Sequence, residues 1–303
     1  MSLLLGAATV GLILALLGLG VFLSYRVYAT LDLTADGSFL VGAAVGAALL
    51  VRGVPPLAAT ILAALAGALA GAITGLLHTR FFISTLLAGV LTSTALYSVS
   101  LFAMASGNLS LASASSLVTQ VEEVGQRFLK LEPTLTLLIT VAVLVAGLAA
   151  ALMAFMKTDL GLAMRAAGSN PQMAKALAID VDGMVVFGLA LSNGLIGLSG
   201  ALYAQYQGFA DIQMGIGALV TGLANLMVGE ALVGKGSIGR WIAGAVLGAV
   251  VFRLLVALAI RAGLNPNALK LVTAALVLGV LVFPQLLSRA RRLPSSEKAP
   301  GHV

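Results

Sequence analysis

Gly229, Gly234 and Lys235 carry the spacing of a phosphate-binding loop, whose backbone N–H groups and lysine would cradle a nucleotide. The residue after the lysine is Gly236 instead of Ser or Thr, so the hydroxyl that would ligate Mg²⁺ is missing, and no strand-like pattern precedes the loop. The stretch reads instead as a turn between two apolar segments, with Lys235 and Arg240 as interfacial anchors. Other chemistries fare no better. The chain has no cysteine and only two histidines, His78 and His302, which excludes a thiolate cluster and leaves no zinc set. His78, beside Arg80, reads as the end of a segment. No nucleophile with its base and no paired catalytic carboxylates stand out. Catalytic and metal-ligating residues are therefore assigned as none, and no cofactor is expected on this chain.

What does stand out is a set of polar residues in apolar surroundings, where lipid would penalise each one. Asp32, Asp36 and Ser38 open one apolar segment. Thr92, Thr94 and Tyr97 share another, and Ser192 and Asn193 lie inside a third. Gln205, Gln207, Asp211 and Gln213 precede a further segment that contains Asn225. Together they would suit the wall of a solute pathway. Each also has a plainer reading. Thr92, Ser192, Asn193 and Asn225 could make helix-to-helix hydrogen bonds worth about 1 kcal/mol each, and Asp32, Asp36 and Asp211 could be loop residues and helix N-caps. Arg253, in the middle of GAVLGAVVFRLLVALAI, must face protein or water, with Asp36 or Glu230 as candidate partners.

The elements that position these residues follow from composition. With 303 residues, 60% of them hydrophobic, only 9% charged and a mean hydropathy of +1.09, the chain cannot bury its apolar surface in one aqueous core. It reads as an all-α polytopic membrane bundle, a single domain over residues 1–303. The first twenty residues lack a basic leader and an A-x-A-like end, and read as a first span instead of a signal peptide. Apolar segments run over about 4–25, 39–51, 55–77, 81–104, 134–156, 185–207, 212–229, 241–260 and 269–287, nine in all. Those at 39–51 and 212–229 are short or broken, the kind tolerated only against protein or a watery cavity. Each follows an acidic, glycine-containing stretch, and each precedes a ladder of small residues, Gly67, Gly71 and Gly75 in one case, Gly244 and Gly248 in the other. Such ladders let helices approach closely, first of all within one bundle. The echo predicts an inverted repeat: 4–104 and 185–288, joined by a linker span at 134–156 and a polar segment at 157–184, with a tail at 289–303.

Charge sets the expected sidedness. With the polar segment and tail in the cytoplasm, only Arg52, Arg127, Lys130, Arg253, Arg261 and Lys270 of the 17 basic residues fall elsewhere, and the N-terminus lies outside. This asymmetry accounts for the net charge of +6 without nucleic acid, since no basic stripe is interleaved with aromatics. The outer loop at 105–133 then contains SLVTQVEEVGQRFLKLEP, a candidate amphipathic surface helix.

The polar segment KTDLGLAMRAAGSNPQMAKALAIDVDGM carries its own start signal. Ser169 stands three residues before Gln172, the spacing of a capping box, with Pro171 in the first turn. Met173, Ala176 and Leu177 share one face of the resulting helix, edged by Asn170, Lys175 and Asp180. Such a face would fit a groove on a soluble partner, or the helix would simply connect two spans.

The run GLAMRAAGSNPQMAKALAIDVDGMVVFGLALSNGLIGLSGALYAQYQGFADIQMGIG, together with LDLTADGSFLVGAAVGAALL, resembles the permease subunit of bacterial ABC importers, in the superfamily of branched-chain amino acid and ribose permeases. The resemblance covers about residues 31–284. Within it, LTADGSF, AGVLTSTALYS and AQYQGFADIQMGIG look most like a branch associated with aromatic amino acids. It implies a multi-pass protein of the bacterial inner membrane, working with an extracytoplasmic solute-binding protein, a second permease copy forming a homodimer, and a cytoplasmic ATPase that holds the ATP and Mg²⁺. It also implies that 168–180 is the coupling helix gripped by that ATPase. Arg165, Gly168, Asn170, Ala174, Ala176, Leu177, Ile179 and Asp180 match the pattern there, with Met173 beside them; Ala178 departs from it, because a glycine often precedes the Ile. The competing function is a secondary transporter driven by an ion gradient, which uses similar repeats and broken helices.

Overall fold

A computed structural model describes residues 2–126, 132–234 and 236–263, with isolated positions 271, 274, 275, 278 and 279 beyond them. Long runs of Ala, Leu, Val and Gly satisfy the backbone internally, the one solution open to a single segment in hydrocarbon. They form α1 (Ser2–Phe22, continued by a π turn at Leu23–Val27), α2 (Thr34–Val51), α3 (Pro56–Phe81), α4 (Thr85–Met104), α6 (Pro133–Phe155), α9 (Val181–Gln207), α10 (Ala218–Val233) and α11 (Ile238–Arg261). Seven of these are long and apolar enough to cross a membrane, and α10 is a shorter apolar helix. The chain is an all-α multi-pass membrane protein.

Between the spans lie α5 (Leu117–Val124), within the stretch expected to form a surface helix, and the short pair α7 (Asp159–Ser169) and α8 (Pro171–Ala176). Polar residues start these elements: Ser84, Thr158, Asp180 and Ser237 each accept a backbone N–H at the head of α4, α7, α9 and α11. Proline begins α3, α6 and α8, where its missing N–H costs nothing.

Three sequence expectations change. The segment expected at 39–51 is not short, because α2 starts at Thr34; an aspartate in the first turn favours a helix start instead of breaking it. The segment expected at 212–229 starts late, at Ala218, because residues 212–217 form turns ending at Gly217, with φ of 82°. Two three-residue strands, β1 (Asn108–Ser110) and β2 (Phe209–Asp211), pair antiparallel with Asn108 opposite Asp211. No apolar pattern of a strand announces them. The segment at 269–287, the tail, and Arg127, Lys130, Lys235 and Lys270 lie outside the described residues.

The helix pairings come in two matching sets. α3 runs along α9 as α1 runs along α11; α2 lies on α9 as α10 lies on α1; α2 packs on α3 as α10 packs on α11. Exchanging α1 with α9, α2 with α10 and α3 with α11 maps one set on the other. The glycine ladders sit at these contacts. A Cβ at Gly75 would lie 2.7 Å from the Val186 Cα, and one at Gly71 would overlap the Leu189 carbonyl. Gly67 meets the Asn193 carbonyl and Gly197, so α3 is laid flat along α9. Gly244 and Gly248 instead press α11 against Gly229 and Asn225 of α10. We expect Gly71→Val to cost about 3 kcal/mol through overpacking. Gly147 has nothing within 4 Å of its Cβ position, so Gly147→Val should leave the thermal midpoint of the detergent-purified protein unchanged while Gly71→Val lowers it.

Candidate functional site

Two polar regions lie at different depths. The first forms where α2 and α10, entering from opposite ends of the bundle, bring their first turns together. Gly217 begins α10 without a side chain to satisfy its free N–H groups. The Asp36 carboxylate does so from α2, accepting from Leu219 N–H at 2.8 Å and Gly217 N–H at 3.3 Å. Gly215 makes this possible, since a Cβ there would overlap the Asp36 carbonyl.

Beside this junction α2, α4 and the turns before α10 enclose a recess of 310 Å³ lined by Asp36, Ser93, Thr94 and Tyr97, with Leu40, Ile212 and Ile216 as apolar wall. Asp36 and Tyr97, expected in a pathway, are thus brought together. Ser93 was not singled out in sequence; only its place three residues from Leu96 and four from Tyr97 could have hinted that it shares their helix face.

On the other side of α2 lies a closed polar knot. Asp32 is 1% exposed and accepts from Asn193 Nδ2 at 2.6 Å and from Thr34 N–H at 2.9 Å. Asn193 is 12 residues into α9, about 18 Å along its axis, so this carboxylate is deep in the bundle. The Thr34, Thr74 and Thr92 hydroxyls form a chain with spacings of 2.7 and 3.0 Å. Ser38 is buried nearby in α2 with its Oγ unpartnered among the described residues.

The other pathway candidates are not part of either group. Gln205 donates to Thr60 Oγ1 at 2.8 Å and accepts from Leu117 N–H at 2.9 Å, joining α9 to α3 and to the start of α5. Gln207 donates to the Tyr203 hydroxyl at 2.7 Å. Asp211 sits on β2, accepting from Gln213 N–H at 2.7 Å and Asn108 Nδ2 at 3.3 Å, with Gln213 exposed beside it. Asn225 donates to the Leu14 carbonyl at 3.2 Å, and Ser192 to that of Gly20 at 2.7 Å, as interhelical ties. Arg253 lines a separate crevice of 110 Å³ with Tyr203 and Thr221. Neither expected partner reaches it: Asp36 caps α10, and Glu230 is bridged in bidentate fashion by Arg26. Arg26 also faces the Trp241 ring, its guanidinium carbon 5.9 Å from the centroid.

The second region is the α7–α8 knuckle, at the end of the bundle away from β1 and β2. Gly168 lets α7 sit directly on the Val27 carbonyl, where a Cβ would overlap. The next residue, Tyr28, donates its hydroxyl proton to the Met184 carbonyl of α9. Burial pushes the Tyr28 phenol far above its ordinary pKa, so this donor stays protonated. The α8 cap is Asn170, whose Oδ1 accepts from Met173 N–H at 3.0 Å. Ser169, expected as the cap, is instead the last residue of α7, because Pro171 forces the chain before it out of the helical region at Asn170.

α8 then ends in a Schellman turn: Ile179 N–H bonds the Ala174 carbonyl and Ala178 N–H that of Lys175, both at 3.0 Å. Ala178 sits at φ 59°, the left-handed position such turns reserve for glycine. Asp180 then caps α9 through Gly183 N–H at 3.1 Å. The side chains divide cleanly. Ala174 is buried against Ala167 and Val181, with Ile179 packed on them. Met173 and Leu177 are 62% and 64% exposed, and Arg165 and Ala176 are exposed with them. A groove of 360 Å³ lies beside the knuckle, bounded by Gly168, Pro171 and Lys175 on one side and by Tyr28, His78 and Phe82 on the other.

Known proteins resemble the chain over most of its length. Residues 3–282 match the family described as branched-chain amino acid transport system, permease component. A tyrosine transport system permease protein of Clostridioides difficile is 36% identical over 286 residues, 94% of this chain and 92% of the relative. An uncharacterized protein of Rickettsia prowazekii is 31% identical over 295 residues, 96% and 99% of the two chains. An autoinducer 2 import system permease protein of Yersinia enterocolitica is 32% identical over 129 residues, 42% of this chain and 35% of its own. No solved structure matches.

Proposed function

The chain belongs to the permease family of branched-chain amino acid transport systems, and from that premise we propose that it is the membrane subunit of an ATP-driven importer for an amino acid or a closely related solute. A binding protein outside the cell hands over the solute, two permease copies enclose its path, and a cytoplasmic ATPase hydrolyses ATP with its own Mg²⁺. The knuckle is the ATPase docking element and lies in the cytoplasm with the C-terminus; the N-terminus lies outside. The two matching sets of helix pairings are read as an inverted repeat around the Asp36 junction. The name of the tyrosine permease relative supports the solute class.

One observation carries this reading above the others: a capped helix of a single turn and a half leaves Met173 and Leu177 exposed while Ala174 anchors it from beneath. Exposed apolar side chains on a rigid mount are what a partner's groove takes up. Closure of the ATPases on ATP would displace the knuckle. Gly168 and Tyr28 would pass that displacement to the π turn of α1, and the Arg26–Glu230 bridge would pass it to the far end of α10, whose start lies at Asp36 and the recess.

Reconstituted vesicles test the proposal. Uptake of tyrosine should require the ATPase, the binding protein and ATP together. Uptake by the permease alone on a proton or sodium gradient would make it a secondary transporter instead.

A further inference from the structure

We propose that the Asp36 recess is a selectivity site for the protonated amine of the transported solute, with the solute's apolar body against Leu40, Ile212 and Ile216. The proposal rests on the transport reading above and names the group recognised within it.

A carboxylate offers about four acceptor positions. The N–H groups of Leu219 and Gly217 use two and fix the carboxylate in place, while Asp36 also lines the recess. Thr94 donates its hydroxyl proton to the Val90 carbonyl at 2.8 Å, which leaves its oxygen as a further acceptor. Among the described residues no lysine or arginine lines the recess or pairs with Asp36. The site is thus rich in acceptors and lacks a cation, and an ammonium supplies three donors and the missing charge. Tyr97, 48% exposed, adds an aromatic ring to the same wall, a surface that favours cations and apolar groups alike. The neighbouring carboxylate, Asp32, has no such opening: its donors are Asn193 and Thr34, and it is fully enclosed.

Asp36 also caps α10, so the test separates charge from capping. Asn keeps the shorter cap bond from Leu219 N–H through its Oδ1, and its Nδ2 replaces only the oxygen that accepts the 3.3 Å bond from Gly217, so Asp36→Asn removes the charge while retaining the main cap contact. In vesicles holding permease, ATPase and binding protein, Asp36→Asn should lower L-tyrosine uptake at least tenfold, while the variant still assembles with the ATPase. Uptake at the wild-type level would overturn the proposal.

A second measurement does not depend on transport or on the variant folding. The chain has no cysteine, so Thr94→Cys places one reactive thiol in the recess. L-Tyrosine and tyramine should slow its alkylation by a maleimide in the assembled complex, while 3-(4-hydroxyphenyl)propanoate, which lacks the amine, should not. Equal protection by all three, or by none, would overturn the proposal whatever the uptake shows. Failure of wild-type uptake with selective protection intact would instead count against the importer reading alone.

Discussion

Met173→Glu and Leu177→Glu should each weaken binding of the ATPase about 30-fold and abolish coupled uptake when combined, while the permease still inserts and unfolds at its usual temperature. Both side chains are exposed, so folding does not depend on them, and central apolar anchors of an interface are each worth about 2 kcal/mol or more. Co-purification with the ATPase measures the first effect and the thermal midpoint the second. Full retention of the ATPase by the double variant would move the docking surface elsewhere. Ala174 is the wrong residue for this experiment, although it belongs to the same stretch. Enclosed by Ala167 and Val181, it cannot accept a larger or charged side chain without lifting the knuckle from the bundle, and loss of binding there would report unfolding of the segment.

Glu230→Ala should destabilise the protein by about 3 kcal/mol, because Arg26 would be left largely enclosed without its counter-charge. The bridge joins the π turn of α1 to the last turn of α10, and Trp241 on α11 covers it. Arg26→Ala should cost at least as much, since it strands the more enclosed partner, the Glu230 carboxylate, in the last turn of α10, where the helix dipole opposes a negative charge. Combining the two changes should cost clearly less than their sum, by about 1 kcal/mol or more, as expected of groups in direct contact. Thermal unfolding of the four proteins measures this; strict additivity would mean that the bridge does not act as a unit. If the bridge transmits motion as proposed, the double variant should also hydrolyse ATP without matching uptake.

Much of this organisation was legible in the sequence. Apolar length located the spans, and small residues at every fourth position located the close contacts of α3, since the physics of approach needs only the absence of a Cβ at those positions. The knuckle was legible for the same local reason: Pro171 and the polar stretch around it encode a helix start whatever the rest of the chain does, although the cap was expected one residue early, at Ser169 instead of Asn170. Partners distant in sequence were not. Asp36 looked like any interfacial aspartate until the turns at 212–217 brought a bare helix start to it, and Glu230 was free to meet Arg26 or Arg253 until the fold decided. Asp211 and Gln205 share the composition of pathway residues yet serve a surface turn and a joint, because a polar side chain in an apolar run signals only that something must satisfy it. Ala178 was visible as a departure from the related pattern, and the Schellman turn gives that departure its meaning.

The small ribbon of β1 and β2 has a mechanical consequence. It stitches the loop after α4 to the loop after α9 by backbone bonds, including Leu111 N–H to the Gly208 carbonyl at 2.8 Å and Ile212 N–H to the Gly107 carbonyl at 2.9 Å. Helices strapped at one rim cannot slide apart in parallel. They can only splay like the blades of a fan, with the pivot at the strap and the widest travel at the opposite rim, where the knuckle is mounted.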